Sequence, residues 1–264
     1  MNYLGGESVD TTEELLTLLK HGYKKILKNN LVGIYIHGSF VLGSYNEAIS
    51  DLDYLVVVYN PLTLVVKKKL IEYTVGKLWP LAPTKGLEFH IILLRNTLIF
   101  NEPVPFELHF SKQHYWKYIN NPIKYIYEMH GSDLDLTAHL MITTKFGQVL
   151  VGKPIEQVFC LIPKSSYWNS ILYDILDAKS TITEQPMYTV LNLCRALAYK
   201  KANIITSKLS GGQWGLKNIP AKYSELIKNT LDEYISTLTN KYRRSYNDLV
   251  LIEFAEYILN KIKE

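Results

Sequence analysis

Residues 36–53 read IHGSFVLGSYNEAISDLD. An apolar run, LVGIYIH at 31–37, leads into Gly38-Ser39, and eleven residues further on Asp51 and Asp53 open a second apolar run, DLDYLVVVY at 51–59. Both runs read as buried strands. Residues i and i+2 of a strand point to one face, so the two carboxylates stand side by side. Unpartnered, they repel each other and raise one pKa. A divalent cation removes the conflict, and an all-oxygen donor set suits Mg²⁺. Gly38 ends the first strand, where the missing side chain lets a ligand approach the backbone. Ser39 adds a hydroxyl and an amide to a turn that can hold phosphate oxygens, and Gly43 and Ser44 continue the small-residue loop.

A two-carboxylate site needs a further group to take a proton from an attacking hydroxyl, and a third acid should come from a neighbouring strand. Glu88 begins a third strand, LEFHIILL at 87–94. Glu107 sits in a fourth, PFELHF at 105–110, where Phe106, Leu108 and Phe110 alternate with Glu107 and His109. Both acids lie among apolar residues, where an unpaired charge is expensive. Glu88 is favoured as third ligand and base, with Glu107 as the alternative.

Around this stretch, 11–29 carries leucines at helical spacing and Pro61 opens a helix to about Trp79. From about residue 134 every long pattern is helical, over 135–151, 165–179, 186–202, 206–214, 221–239 and 244–262. The chain reads as α+β: a small mixed sheet with flanking helices over 1–133, then an all-helical domain over 134–264 that closes a substrate cleft.

Composition narrows the function classes. The chain has 264 residues, 47% hydrophobic and 20% charged, which fits a globular protein with a substantial core. The net charge of +4 is spread out, with KKK at 67–69 the longest basic run, so no basic stripe marks a nucleic-acid binder. KYRRSY at 241–246 interleaves Lys241, Arg243 and Arg244 with Tyr242 and Tyr246, but it is short and reads as a solvated helix end. Cys160 and Cys194 have neither metal nor redox spacing and read as reduced core thiols. Glu13, Glu14 and Lys20 interrupt the N-terminal apolar positions, so no signal peptide is read, and no stretch has the length of a membrane span. A cytoplasmic monomer with neither membrane nor nucleic-acid partners is expected.

The HGSFVLG…SDLDYLVVV pattern resembles the signature of the polymerase-beta-type nucleotidyltransferases. From about 31 to 240 the chain resembles the aminoglycoside adenylyltransferases that modify streptomycin and spectinomycin. The likeness runs through LEFHII, FELHF, DLDLTAHL…VLVGKP, YTVLNLCRALAY and the IITSK…QW…IPAKY run. It implies transfer of AMP from ATP, with Mg²⁺, to an antibiotic hydroxyl, conferring resistance. By position, Ser39 and Ser50 match phosphate contacts, Asp51 and Asp53 the Mg²⁺ ligands, and Glu88 the catalytic base. Arg195, Lys208 and Tyr234 match nucleotide contacts of the helical domain. A Lys and an Arg across the cleft would complete a clamp on the triphosphate.

The acceptor side departs from the streptomycin pattern. Family members that accept streptomycin carry acids just before the YTVLNL-like helix and a Trp after the ELHF-like strand. Here TITEQPMY offers Glu184 and no clear aspartate, and SKQHYWKY offers Trp116, or Tyr115 if a gap intervenes. Spectinomycin is therefore the favoured acceptor. An aminocyclitol is cationic, so Asp135, Asp174, Asp177 and Glu184 are candidates for its pocket. The competing readings are transfer to another small molecule, a protein or RNA, and a non-catalytic nucleotide-binding regulator.

Overall fold

A computed structural model describes residues 11–236 and 245–264. Helix α1 (Thr11–Leu27) buries Leu15, Leu19, Tyr23 and Leu27, one face at four-residue spacing. Strand β1 (Leu31–Ile36), the four-residue α2 (Gly38–Val41) and β2 (Leu52–Val58) follow. Helix α3 (Leu64–Tyr73) starts at Thr63, whose side chain accepts from the Val66 amide, and a π turn and a 3-10 turn carry it on to Leu81. Next come β3 (Leu87–Leu93), α4 (Leu94–Leu98), β4 (Val104–Phe106) and β5 (Leu108–Phe110). Then come α5 (Lys112–Asn120), α6 (Pro122–Glu128), β6 (Gly131–Asp133), α7 (Leu136–Phe146) and β7 (Gln148–Gly152). The remaining described elements are helical: α8 (Lys164–Asp174), α9 (Ala178–Thr181), α10 (Pro186–Ala202), α11 (Lys208–Asn218), α12 (Ser224–Ile235) and α13 (Asp248–Lys263).

The main sheet has the order β5-β3-β2-β1-β7, with β2 and β3 parallel and the other pairs antiparallel. Period-2 alternation divides its residues between two cores. Ile36, Tyr54, Val56, Phe89 and Ile91 pack with α1 and α3. Tyr35, Leu55, Val57 and Ile92 pack with Leu136, Leu140 and Met141 of α7 and with Tyr199 of α10. Asp53 shares a strand face with Leu55, and Glu88 shares one with Ile92. The acids therefore point toward the helical half.

That half is organised around α10, which buries Val190, Leu191, Leu193, Cys194, Ala196 and Leu197 among α9, α11, α12 and α13. Cys194 is buried in this core and Cys160 is half-buried; both are free thiols. Among the described residues no helix is long and apolar enough to cross a membrane.

Three expectations are corrected. The helix expected over 135–151 ends at Phe146, and Gly147 is its C-cap. Val149 and Val151 then lie opposite Tyr35 and Ile34 as the edge strand β7, which suits β-branched residues. The sheet-bearing half thus extends past the boundary at 133/134, to Gly152. The single strand over 105–110 divides at Glu107: β4 pairs with β6 in a separate two-stranded sheet, and β5 pairs with β3. The KYRRSY run lies outside the described residues except for Ser245 and Tyr246.

Candidate active site

The glycine turn brings the end of β1 over the mouth of β2. His37 is extended and its amide donates to the Asp53 carbonyl at 3.0 Å. Gly38 then takes φ +65°, and a Cβ there would overlap the Asp53 carboxylate. Ser39 lies in the first turn of α2. The loop into β2 is held by Asn46, whose side chain accepts the Ala48 amide and whose own amide donates to Ser50 Oγ at 3.1 Å. Ser50 is buried as part of this brace, directly before Asp51.

Asp53 and Glu88 are register partners in the parallel β2–β3 ladder, and Asp51 precedes Asp53 by two residues. One oxygen from each of Asp51, Asp53 and Glu88 lies within 4.8 Å of the others. Three converging carboxylates with only oxygen donors fit a hard dication such as Mg²⁺. Their mutual repulsion shows in the proton equilibria. Burial, then the charges of Asp51 and Glu88, hold the Asp53 carboxyl well above the usual carboxylate range. Burial also pushes Glu88 upward, but the facing His109 imidazole, Nε2 3.7 Å away, and His139 outweigh it and keep Glu88 ionised. Glu107 is elsewhere: its carboxylate accepts the Leu62 amide at 3.0 Å and it does not line the cavity.

The acids form one wall of a cavity of about 360 Å³ between the sheet and the helical half. Gly38, Ser39 and Ser50 line it on the strand side, and Arg195, Lys208 and Tyr234 line it on the helical side. Among the described residues buried Ser39 Oγ has no hydrogen-bond partner, leaving a hydroxyl free for a ligand, while Ser44 lies beside the Tyr234 hydroxyl. Arg195 is fixed: Nε donates to the Thr206 carbonyl at 2.9 Å, and an Nη donates to Asn192 Oδ1 at 3.0 Å. Asn192 in turn donates to Asp174 at 3.1 Å. Gly211 allows α11 to approach α10 this closely, since a Cβ there would press on Arg195 Cγ. Ser207 caps α11 in a reciprocal box with Ser210, and Lys208, the first residue of α11, lies over the Tyr188 ring. Burial, then the nearby Arg195 and Lys85, push the Lys208 ammonium down to about 8.

Of the acceptor-side candidates, Asp135 and Asp174 line the cavity, and Asp177 lines a smaller recess of about 200 Å³ that also reaches Asp174 and Tyr188. Trp116 is 60% exposed on α5 and lies outside the lining, as does Glu184 in the turn before α10. Residue-by-residue reasoning missed Lys85 and the histidines His37 and His139, which also line the cavity. Burial lowers the His37 imidazole well below its usual range. Burial likewise opposes charge on His139, but Asp135, 3.4 Å away, with Glu88 and Asp53, holds it up at about 10. The available signal was the placement of His37 next to Gly38 and the Asp135–His139 spacing of one helical turn.

A nucleotidyltransferase domain model matches residues 20–114, and a model described as aminoglycoside adenylyltransferase, C-terminal domain, matches 157–261. The spectinomycin 9-adenylyltransferase of Enterococcus faecalis is 27% identical over 231 residues, spanning 85% of this chain and 88% of that protein. The aminoglycoside (3'')(9) adenylyltransferase of Klebsiella pneumoniae is 24% identical over 246 residues, spanning 89% of each. A crystal structure of an Enterococcus faecalis spectinomycin adenyltransferase with ATP and spectinomycin superimposes with a TM-score of 0.78. At 24% identity it covers 96% of this chain and 99% of that one, and the two share a fold.

Proposed function

The chain belongs to the aminoglycoside adenylyltransferases within the nucleotidyltransferase superfamily, and from that membership we propose that it transfers AMP from ATP to a hydroxyl of an aminocyclitol antibiotic, spectinomycin in preference to streptomycin, thereby conferring resistance. The observation that carries this reading is the convergence of Asp51, Asp53 and Glu88 across one cavity from Arg195 and Lys208. A triphosphate brings more negative charge than one dication neutralises, and this arrangement supplies cations from the far wall.

Ser39, with the α2 turn, and Arg195 and Lys208 hold the outer phosphates and so fix the α-phosphorus near Glu88. Tyr234 and Ser50 complete the nucleotide side. Asp51, Asp53 and Glu88 would hold Mg²⁺, which when bound lowers the charge on the reacting phosphate. The acceptor hydroxyl oxygen attacks the α-phosphorus, Glu88 takes its proton, and the bond to the bridging oxygen breaks with pyrophosphate leaving. The ladder sets Glu88 beside Asp53, which supports reading it as the base at the edge of the phosphate site.

Asp135 and Asp174 line the cavity and would supply the carboxylates that a cationic aminocyclitol requires. The preference for spectinomycin is supported by the similarity to enzymes named for that drug and by the position of Trp116 and Glu184 away from the cavity. The test is pyrophosphate release from ATP and Mg²⁺ with spectinomycin, streptomycin or no acceptor, with mass spectrometry of the product. An AMP adduct of spectinomycin is expected. Tight ATP binding without turnover on any aminocyclitol would overturn the proposal.

A further inference from the structure

Behind the acid trio, on the same face of the sheet, lies a second group of titratable side chains, of which only His109, facing Glu88, touches the proposed transfer site. His90 of β3 and His109 of β5 are directly opposite each other in the antiparallel pair. Their rings stack with centroids 3.8 Å apart and planes 20° from parallel. Asp133, at the end of β6, turns its Oδ2 to within 3.5 Å of His90 Nε2. One donor atom from each of the three lies within 4.8 Å of the others.

This group is poorly satisfied as it stands. His90 is 1% exposed, yet among the described residues its Nδ1 has no hydrogen-bond partner, its Nε2 meets only the 3.5 Å approach of Asp133, and His109 Nε2 meets only Glu88 at 3.7 Å. A buried polar atom left this way is costly, so two such rings in contact call for a ligand. Asp133 is prepared for one: Oδ1 accepts the Asp135 amide at 2.9 Å, which fixes the carboxylate and leaves Oδ2 facing the rings.

We infer that His90, His109 and Asp133 form a binding site for a first-row transition-metal dication of the zinc type, separate from the Asp51–Asp53–Glu88 site. Two imidazoles and one carboxylate are the donors that borderline-soft ions prefer, whereas Mg²⁺ takes oxygen alone. Histidines facing each other across an antiparallel pair can reach one ion because their Cβ atoms are about 5 Å apart. Rotation about the soft χ2 of each ring, closing the donors by about an ångström, brings them to the spacing that bonds of about 2 Å require. The ion would tie β3 and β5 of the main sheet to β6 of the small one. It would stand beside Glu88, whose Oε1 is 3.7 Å from His109 Nε2.

The test is zinc binding by the whole chelator-treated protein in excess Mg²⁺, read by competition with a chromophoric chelator and by thermal unfolding. One zinc per chain is expected, with a rise in Tm, and the cobalt-loaded protein should show the visible absorption of a low-coordinate nitrogen–oxygen site. His109→Gln and Asp133→Asn, folded by circular dichroism, should each weaken zinc by more than about a hundredfold, beyond what loss of a mere supporting contact produces. Asp51→Asn should retain it. No zinc retained in Mg²⁺, or equal retention by both variants, would overturn the site; loss in Asp51→Asn would assign the ion to the acid trio instead. None of these readouts depends on transferase activity, so they are independent of the proposed reaction.

Discussion

Asp53 and Glu88 are direct neighbours in the parallel ladder between β2 and β3, and both point to the face covered by the helical half. A sheet register is a rigid ruler, so the two carboxylates stay together whatever the loops around them do. Asp51, outside the strand, adds the third oxygen donor from the end of a braced loop.

That arrangement costs stability when no cation neutralises it. Asp53 has a raised carboxyl pKa, so the folded protein binds its proton more tightly than the unfolded chain does. The contribution of Asp53 is therefore greatest below the unfolded carboxylate range and is lost as pH rises through its folded pKa. Asp53→Asn should abolish transfer yet raise the Tm of the metal-free protein by about 2–4 °C near neutral pH, the shift of roughly 1 kcal/mol in a chain of this size. Calorimetry with and without Mg²⁺ checks this, and an unchanged Mg²⁺ response in the variant would contradict the ligand role.

Glu88→Gln should still bind ATP but slow adenylyl transfer by roughly a hundredfold or more, the scale of a lost general base. Glu107→Gln should behave oppositely. Its carboxylate braces the Leu62 amide, so turnover stays near normal while stability falls by about 1 kcal/mol. Single-turnover kinetics beside denaturant unfolding separates the two outcomes.

Gly38→Ala should be among the most damaging small changes. A side chain at φ +65° is strained by about 1–2 kcal/mol, and its Cβ would displace the Asp53 carboxylate. ATP binding in Mg²⁺ should weaken by at least about tenfold, the equivalent of that strain. Isothermal titration measures it, and Gly43→Ala, at a positive φ but with open space around it, is the control for strain alone.

ATP affinity should fall above pH 8. Lys208 in the free protein titrates at about 8, and a triphosphate beside it raises that value. Below pH 8 the ammonium is present before binding and affinity is flat. Above it, binding must take up a proton, so the dissociation constant rises by up to about tenfold per pH unit. Lys208→Met should bind more weakly and lose this slope between pH 7.5 and roughly 9.5, a window set by that pKa.

The chemistry was more legible than the topology. Asp53 and Glu88 could be placed because strand alternation is a local rule that the fold does not override, whereas Gly38 and Asp51 lie just beyond the strands, at the start of α2 and at the end of the loop before β2. Arg195, Lys208 and Tyr234 came from resemblance, since nothing in an apolar helix marks its one arginine as facing a cavity. The α5–α6 segment was harder to read: no residue of α5 is buried, and its Tyr115 and Tyr118 pack only partly against the sheet core. β7 was hidden because QVLVG is too short to compete with the helical pattern before it. Trp116 shows the limit of matching by position: after the strand it is next in line, yet its helix turns it outward.

The return of the chain to the sheet at β7 bears on how this molecule can be taken apart. Expressing residues 1–133 alone would strip β1 of its outer neighbour and expose a row of unpaired amides and carbonyls along an apolar edge. Such a fragment invites self-association, whereas a cut after Gly152 keeps the five strands whole. A deletion library built on the apparent change of character near residue 134 would thus report insolubility and misattribute it to the loss of the cleft.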